Sequence, residues 1–125
     1  MHIEYIQNEN GTIAVVSSNG EKAILDVQTA LDLAMTARYE GGAEKLAIDK
    51  KAVTEDFFIL STGLAGEILQ KFTNYHIKAA FYGDFTRYTS KPLQDFIYES
   101  NQGASVFFVP SQEEAVRRLA EVPGL

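Results

Sequence analysis

The stretch Ile77-Lys78-Ala79-Ala80-Phe81-Tyr82, closed by Gly83-Asp84, decides the fold. Its nearly continuous apolar character lacks the alternation of a strand with one wet face, and it fits a parallel strand covered on both sides. A parallel strand needs crossover connections, so helical patterns should stand before and after it. Upstream, within Glu55 to Asn74, Ala65, Ile68, Leu69 and Phe72 form one stripe at helical spacing. Gly63 and Gly66 interrupt that stripe, each costing about 1 kcal/mol against Ala in a helix interior, unless they mark a close approach to the sheet. Downstream, Ser90 or Lys91 opens a helix with Pro92 in its first turn and Leu93, Phe96 and Ile97 facing inward. Val106-Phe107-Phe108-Val109 is a further buried strand. Ser111-Gln112-Glu113-Glu114 has capping-box spacing ahead of Val116, Leu119 and Ala120, and Val122-Pro123-Gly124 stops that last helix.

Working back toward the start, Leu46-Ala47-Ile48 is a short strand flanked by charge. Before it, Asp26 caps a helix with Val27, Ala30, Leu31 and Ala34 on one face, ended by Gly41-Gly42. Ile3 to Gln7 and Ile13 to Val16 are strands joined through Asn8-Glu9-Asn10-Gly11, whose Asn and Gly suit a tight hairpin. The order is β-β-α-β-α-β-α-β-α. It describes a single α/β domain over residues 1–125, with one mixed, mostly parallel five-stranded sheet, helices against it and Ile77–Tyr82 in its middle.

Composition narrows the function by exclusion. No cysteine is present, which removes disulfides, thiolate chemistry and cysteine-held metals. Eleven Lys+Arg against seventeen Asp+Glu give a net charge of −6, which repels nucleic-acid phosphates. No run approaches the roughly 18 apolar residues of a membrane span, and Met1-His2-Ile3-Glu4 lacks a signal peptide's basic and apolar regions. A soluble, cytoplasmic protein is expected, with no membrane partner. His2 and His76 stand far apart, and no His-x-x-His or Glu-x-x-His spacing occurs, so no metal site is expected. Neither G-x-S-x-G, S-x-x-K, a P-loop nor G-x-G-x-x-G occurs in a catalytic or phosphate-binding context, so no cofactor is expected.

The blocks Thr62-Gly63-Leu64-Ala65-Gly66-Glu67-Ile68-Leu69-Gln70-Lys71-Phe72, Gly83-Asp84-Phe85, Tyr88-Thr89-Ser90-Lys91 and Asp95-Phe96-Ile97-Tyr98-Glu99-Ser100-Asn101 resemble an uncharacterised bacterial family, the domain of unknown function 4180 type. That resemblance spans nearly the whole chain and implies no particular activity. The order of elements is also similar to STAS domains, bacterial anti-sigma-factor-antagonist modules. Their Asp-Ser-Ser/Thr-Gly-Leu motif, after the central strand, has a second hydroxyl residue that can accept a phosphoryl group from a partner kinase. Leu60-Ser61-Thr62-Gly63-Leu64 resembles it, which implies Thr62 as the acceptor, although Leu60 stands where the acid would be.

In open α/β sheets, ligands bind beyond the carboxyl ends of the strands. That edge should carry Asp49, Lys50 and Lys51 after one strand, and Asp84, Arg87, Tyr88, Ser90 and Lys91 after another, with Ser111 following the last. Tyr88 and Tyr98, in polar surroundings, are candidate interface residues, and Lys71 and Lys78 candidate partner contacts; Asn101 or Gly103 ends the helix before the last strand. The expectation is a STAS-like, non-enzymatic regulatory or binding module that meets a protein partner or a small ligand and could self-associate. The alternative is a small enzyme or ligand-binding protein using the rim of Asp49, Asp84, Arg87, Tyr88, Ser90 and Lys91. A carboxylate pair of Asp49 and Asp84 would then require a raised pKa on one of them.

Overall fold

The computed structural model describes residues 2–123. Five strands form one sheet in the order β1-β2-β3-β4-β5: β1 His2–Asn8, β2 Gly11–Ser17, β3 Ala43–Asp49, β4 Lys78–Tyr82 and β5 Val106–Val109. β1 pairs antiparallel with β2, from Asn8 opposite Gly11 to His2 opposite Ser17, and every later pairing is parallel. The mixed, mostly parallel sheet expected from the sequence is therefore present. Ile77–Tyr82 lies inside the sheet but one place off centre, because β3 holds the middle and β5 is an edge. β3 is also longer than its apolar triplet: Ala43 and Lys45 are buried with Leu46, Ala47 and Ile48.

Three helices, α1 Val27–Gly41, α2 Leu64–Asn74 and α3 Lys91–Asn101, connect successive parallel strands, and α4 Gln112–Glu121 follows β5. Crossovers of one hand that step in one direction across a sheet must all lie on the same face. Buried residues of α1, α2 and α3 accordingly share one core with Ala14, Val16, Leu46, Ile48, Ala79, Phe81 and Phe108. The alternate strand residues, Ile13, Val15, Ala47, Ala80, Phe107 and Val109, face the other way and are covered by Ala115 and Leu119 of α4.

Local chemistry places the helix ends. Asp26 accepts from the Thr29 amide (2.8 Å) while the Thr29 hydroxyl accepts from the Asp26 amide (3.0 Å), a closed capping box. The inward face of α1 is Ala30, Leu33, Ala34 and Ala37, a rotation from the expected stripe that leaves Val27 and Leu31 only half-buried. Ser111 caps α4 by accepting from the Glu114 amide, but the Glu114 carboxylate turns to Arg117, so only half of that box forms. Gly63 takes φ 78°, a left-handed conformation that favours glycine just ahead of α2. Gly66 does not mark a close approach to the sheet. It is exposed, and a Cβ built on it meets nothing within 4 Å.

At the amino end of the sheet, Lys45 is 3% exposed. Its ammonium donates to the carbonyls of Asn10 (2.9 Å), Leu119 (2.8 Å) and Val122 (2.7 Å). The Asn10 side chain donates to the Ala120 carbonyl (2.9 Å), and Lys78 donates to that of Pro123 (3.0 Å). The last carbonyls of α4, which have no partner within the helix, are thus taken by side chains from the hairpin and β3. Burial, with the Lys78 charge adding to it, lowers the Lys45 pKa.

Candidate functional site

The carboxyl edge is built from two long connections. The first runs from Lys50 to Gly63 through three short 3-10 turns and drives Phe57 and Phe58 into the core. The Phe57 ring centre lies 5.0 Å from that of Phe81, which in turn lies 5.2 Å from Phe108, so this connection is held by an aromatic stack. The second runs from Gly83 to Ser90. Gly83 sits at φ 150°, and a Cβ there would come within 2.8 Å of the Lys50 Cβ, so glycine lets the two connections meet.

A cage forms where they touch. Tyr88 stacks on Phe58 with ring centres 5.3 Å apart, and its hydroxyl donates to the Glu55 carboxylate (2.9 Å). The Lys50 ammonium lies 4.9 Å from the Tyr88 ring centre and 3.4 Å from the same carboxylate. Burial works against the Lys50 charge, but Tyr88 and Glu55 outweigh it and hold its pKa above the ordinary value. Burial, opposed by Lys50 and supported by Glu55, pushes the Tyr88 phenol up. Both groups therefore keep their protons at neutral pH, and neither is poised as a base there.

The remaining rim residues are engaged in local structure. Asp49 accepts from the Lys51 amide (2.9 Å) and caps the turn that follows β3. Asp84 accepts from the amide and hydroxyl of Thr86; those bonds first, then the charges of Arg87 and Lys50, hold its carboxyl below the usual range. Asp84 is therefore ionised at neutral pH and does not supply the raised carboxylic acid that a paired-carboxylate mechanism requires. Ser90 caps α3 through the Leu93 amide (3.4 Å), and Lys91 pairs with Asp95 one turn along (2.9 Å). Lys78 is taken by the Pro123 carbonyl at the opposite end of the sheet, while Lys71 is exposed on α2.

Two grooves flank the 83–90 connection. A groove of about 400 Å³ brings Arg87, Tyr88 and Ser90 together with Ser61 over a floor that includes Phe58 and Leu93. Thr62 is not part of its lining. The Thr62 hydroxyl is exposed just before α2, lies 2.8 Å from the Asp56 carbonyl and 2.9 Å from that of Ile59, and accepts from the Leu64 amide.

The other groove, about 610 Å³, runs between Gly83–Thr86, α3 and the end of β5. Phe85, Ile97, Phe108, Val109 and Pro110 make its apolar walls, Tyr98 (67% exposed) stands at the side, and Asp84, Thr86, Gln94 and Asn101 supply polar atoms. Of these, only Asp84 and Tyr98 were candidates from the sequence. The signal for the rest was legible: Gln94, Ile97, Tyr98 and Asn101 recur at i, i+3, i+4 and i+7, one face of α3 distinct from the inward Leu93.

Among the described residues, no group of three or more His, Cys, Asp and Glu is placed to hold a metal ion, and no helix is long and apolar enough to cross a membrane. Fold and grooves together define a small α/β domain with a ligand-sized concavity beside the carboxyl ends of β4 and β5. A family model described as a domain of unknown function (DUF4180) matches residues 8–119, and the chain belongs to that family. No curated protein and no solved structure matches it.

Proposed function

We propose that this protein is a non-enzymatic regulatory or binding module, similar in kind to STAS domains, that receives a ligand or an apolar segment of a protein partner in the groove between Asp84, α3 and Pro110. The observation that carries this reading is the groove itself: about 610 Å³ of mainly apolar space at the edge where open α/β sheets hold ligands. Its polar atoms sit where they can fix an occupant's orientation, with Asp84 as a negative charge at neutral pH. The occupant that suits it is apolar with a cationic end. The spent state of Asp49, Ser90, Lys91 and the Lys50–Glu55–Tyr88 cage argues against the rim as a catalytic centre.

Amide chemical-shift mapping against a fragment library of aromatic amines and their neutral isosteres tests the reading. Shifts should gather at Gly83–Thr86, on Gln94, Ile97, Tyr98 and Asn101, and at Val109, with the amines binding more tightly. Asp84→Asn keeps an acceptor for Thr86 while removing the charge, so it should erase the preference for amines while the circular dichroism of the fold stays unchanged. Shifts confined to the Ser61–Arg87 groove, or no saturable binding, would overturn it.

A further inference from the structure

The two outer strands of the sheet are finished in opposite ways. At β5, the Asn101 side chain takes both backbone groups of Phe108: its Nδ2 donates to the carbonyl (3.0 Å) and its Oδ1 accepts from the amide (2.7 Å). The carboxamide stands where the peptide group of a neighbouring strand would be. Arg118 reaches round from α4, its guanidinium 4.2 Å from the Phe107 ring centre, and donates to the Asn101 carbonyl (2.9 Å). Pro110, the next position facing that side, has no N–H. A strand could join β5 only by displacing this arrangement.

Among the described residues, nothing gives β1 such protection. Its seven residues, His2–Asn8, include neither proline nor lysine, and none is fully buried. Tyr5 is 36% and Ile6 37% exposed. A two-residue connection makes Asn8 and Gly11 the hydrogen-bonded closing pair, so the backbone groups of Ile3, Tyr5 and Gln7 point away from β2.

We propose that β1 pairs antiparallel with β1 of a second copy of this chain, about a two-fold axis at Tyr5, joining two five-stranded sheets into one. With one edge closed and one open, only an isologous contact is available, and it closes as a dimer without propagating. The register is self-complementary. Tyr5 meets its own copy, Ile3 meets Gln7, Glu4 meets Ile6 and His2 meets Asn8, so no two like charges stand directly opposite. Glu4 already has His2 of its own chain at 3.1 Å. Charge permits this seam: the chain carries −6, yet β1 contributes only one of its seventeen acids. A strand edge buries less than the roughly 1,200 Å² of a standard specific interface, so association is reversible and concentration-dependent.

Sedimentation velocity from micromolar to millimolar protein should show a monomer–dimer equilibrium with no larger species. Tyr5→Lys sets two ammonium groups face to face and should leave only monomer, with its circular dichroism unchanged. The chain has no cysteine, so oxidised Tyr5→Cys provides a second readout without background. Directly opposed Cα atoms in a hydrogen-bonded pair lie about 5.5 Å apart, inside the disulfide range, and a covalent dimer should form. Monomer throughout, larger assemblies, a dimer that survives Tyr5→Lys, or failure of Tyr5→Cys to cross-link would each overturn the proposal.

Discussion

The two ends of the sheet use the same kinds of side chain for different purposes. At the amino end, Lys45, Asn10 and Lys78 are consumed by carbonyls in and just beyond the last turn of α4, and the lysine most deeply placed has three acceptors for its three protons. At the carboxyl end, Asp84, Gln94 and Tyr98 border an open groove, and the connections around it are pinned from beneath by Phe57, Phe58 and the Lys50 cage. A buried charge therefore identifies a structural joint in this molecule, and a charge beside an apolar concavity identifies the candidate site. Burial alone separates them poorly, because Lys50 is largely covered too; whether every donor already has a partner separates them well.

That contrast can be broken most sharply at Lys45. Lys45→Met fills much of the same volume but leaves three carbonyls without their donor, and it should cost about 3 kcal/mol or more in urea unfolding. A loss below about 1 kcal/mol would mean that the joint is dispensable. At the opposite end, Gly83→Ala should cost about 2 kcal/mol, because it forces both an unfavourable φ and a contact with Lys50, and it should weaken groove binding as the two connections part. Tyr82 lies on the face covered by α4, and burial, with the Asp49 charge adding to it, pushes its phenol pKa up. A raised pKa means that the folded state holds this proton more tightly. Its contribution is intact below about pH 10 and is lost as pH rises through the folded value. Tyr82→Phe should flatten that alkaline loss in denaturant midpoints measured on either side of pH 10. The smallest expected effect has the opposite sign: Gly66→Ala, with free space around the new methyl, should stabilise by about 0.5–1 kcal/mol in thermal unfolding.

Much of the architecture was legible because each element carried its own punctuation. Asp26, Ser90 with Pro92, and Ser111 mark the helix starts, and the runs Ile77–Tyr82 and Val106–Val109 have no hydrophilic face to offer water. The structure departs from the sequence pattern where a long-range partner decides the outcome. Lys45 looks like a flanking charge until α4, more than sixty residues later, brings carbonyls to it. Phe57 and Phe58 lie in a segment with no regular period, so nothing local says that they enter the core. The rim was found by position alone, and the structure separates it into residues spent on caps and residues bordering the groove. The groove face of α3 had a helical period, but its members were divided among separate roles: Ile97 with the inward residues, Tyr98 with a protein interface and Asn101 with the helix end. Asn101 looked like a simple helix terminator. Its hydrogen bonds to Phe108, seven residues on, could not be read from spacing.

The solitary position of α4 has a consequence for how the chain is made. Three helices emerge between strands and can cover their face of the sheet as it grows, but Ile13, Val15, Ala80 and Phe107 have no cover until residues 112–121 are synthesised. Through most of translation the nascent sheet presents a bare oily flank. Until α4 docks, that flank is the surface of the growing polypeptide most open to non-native association.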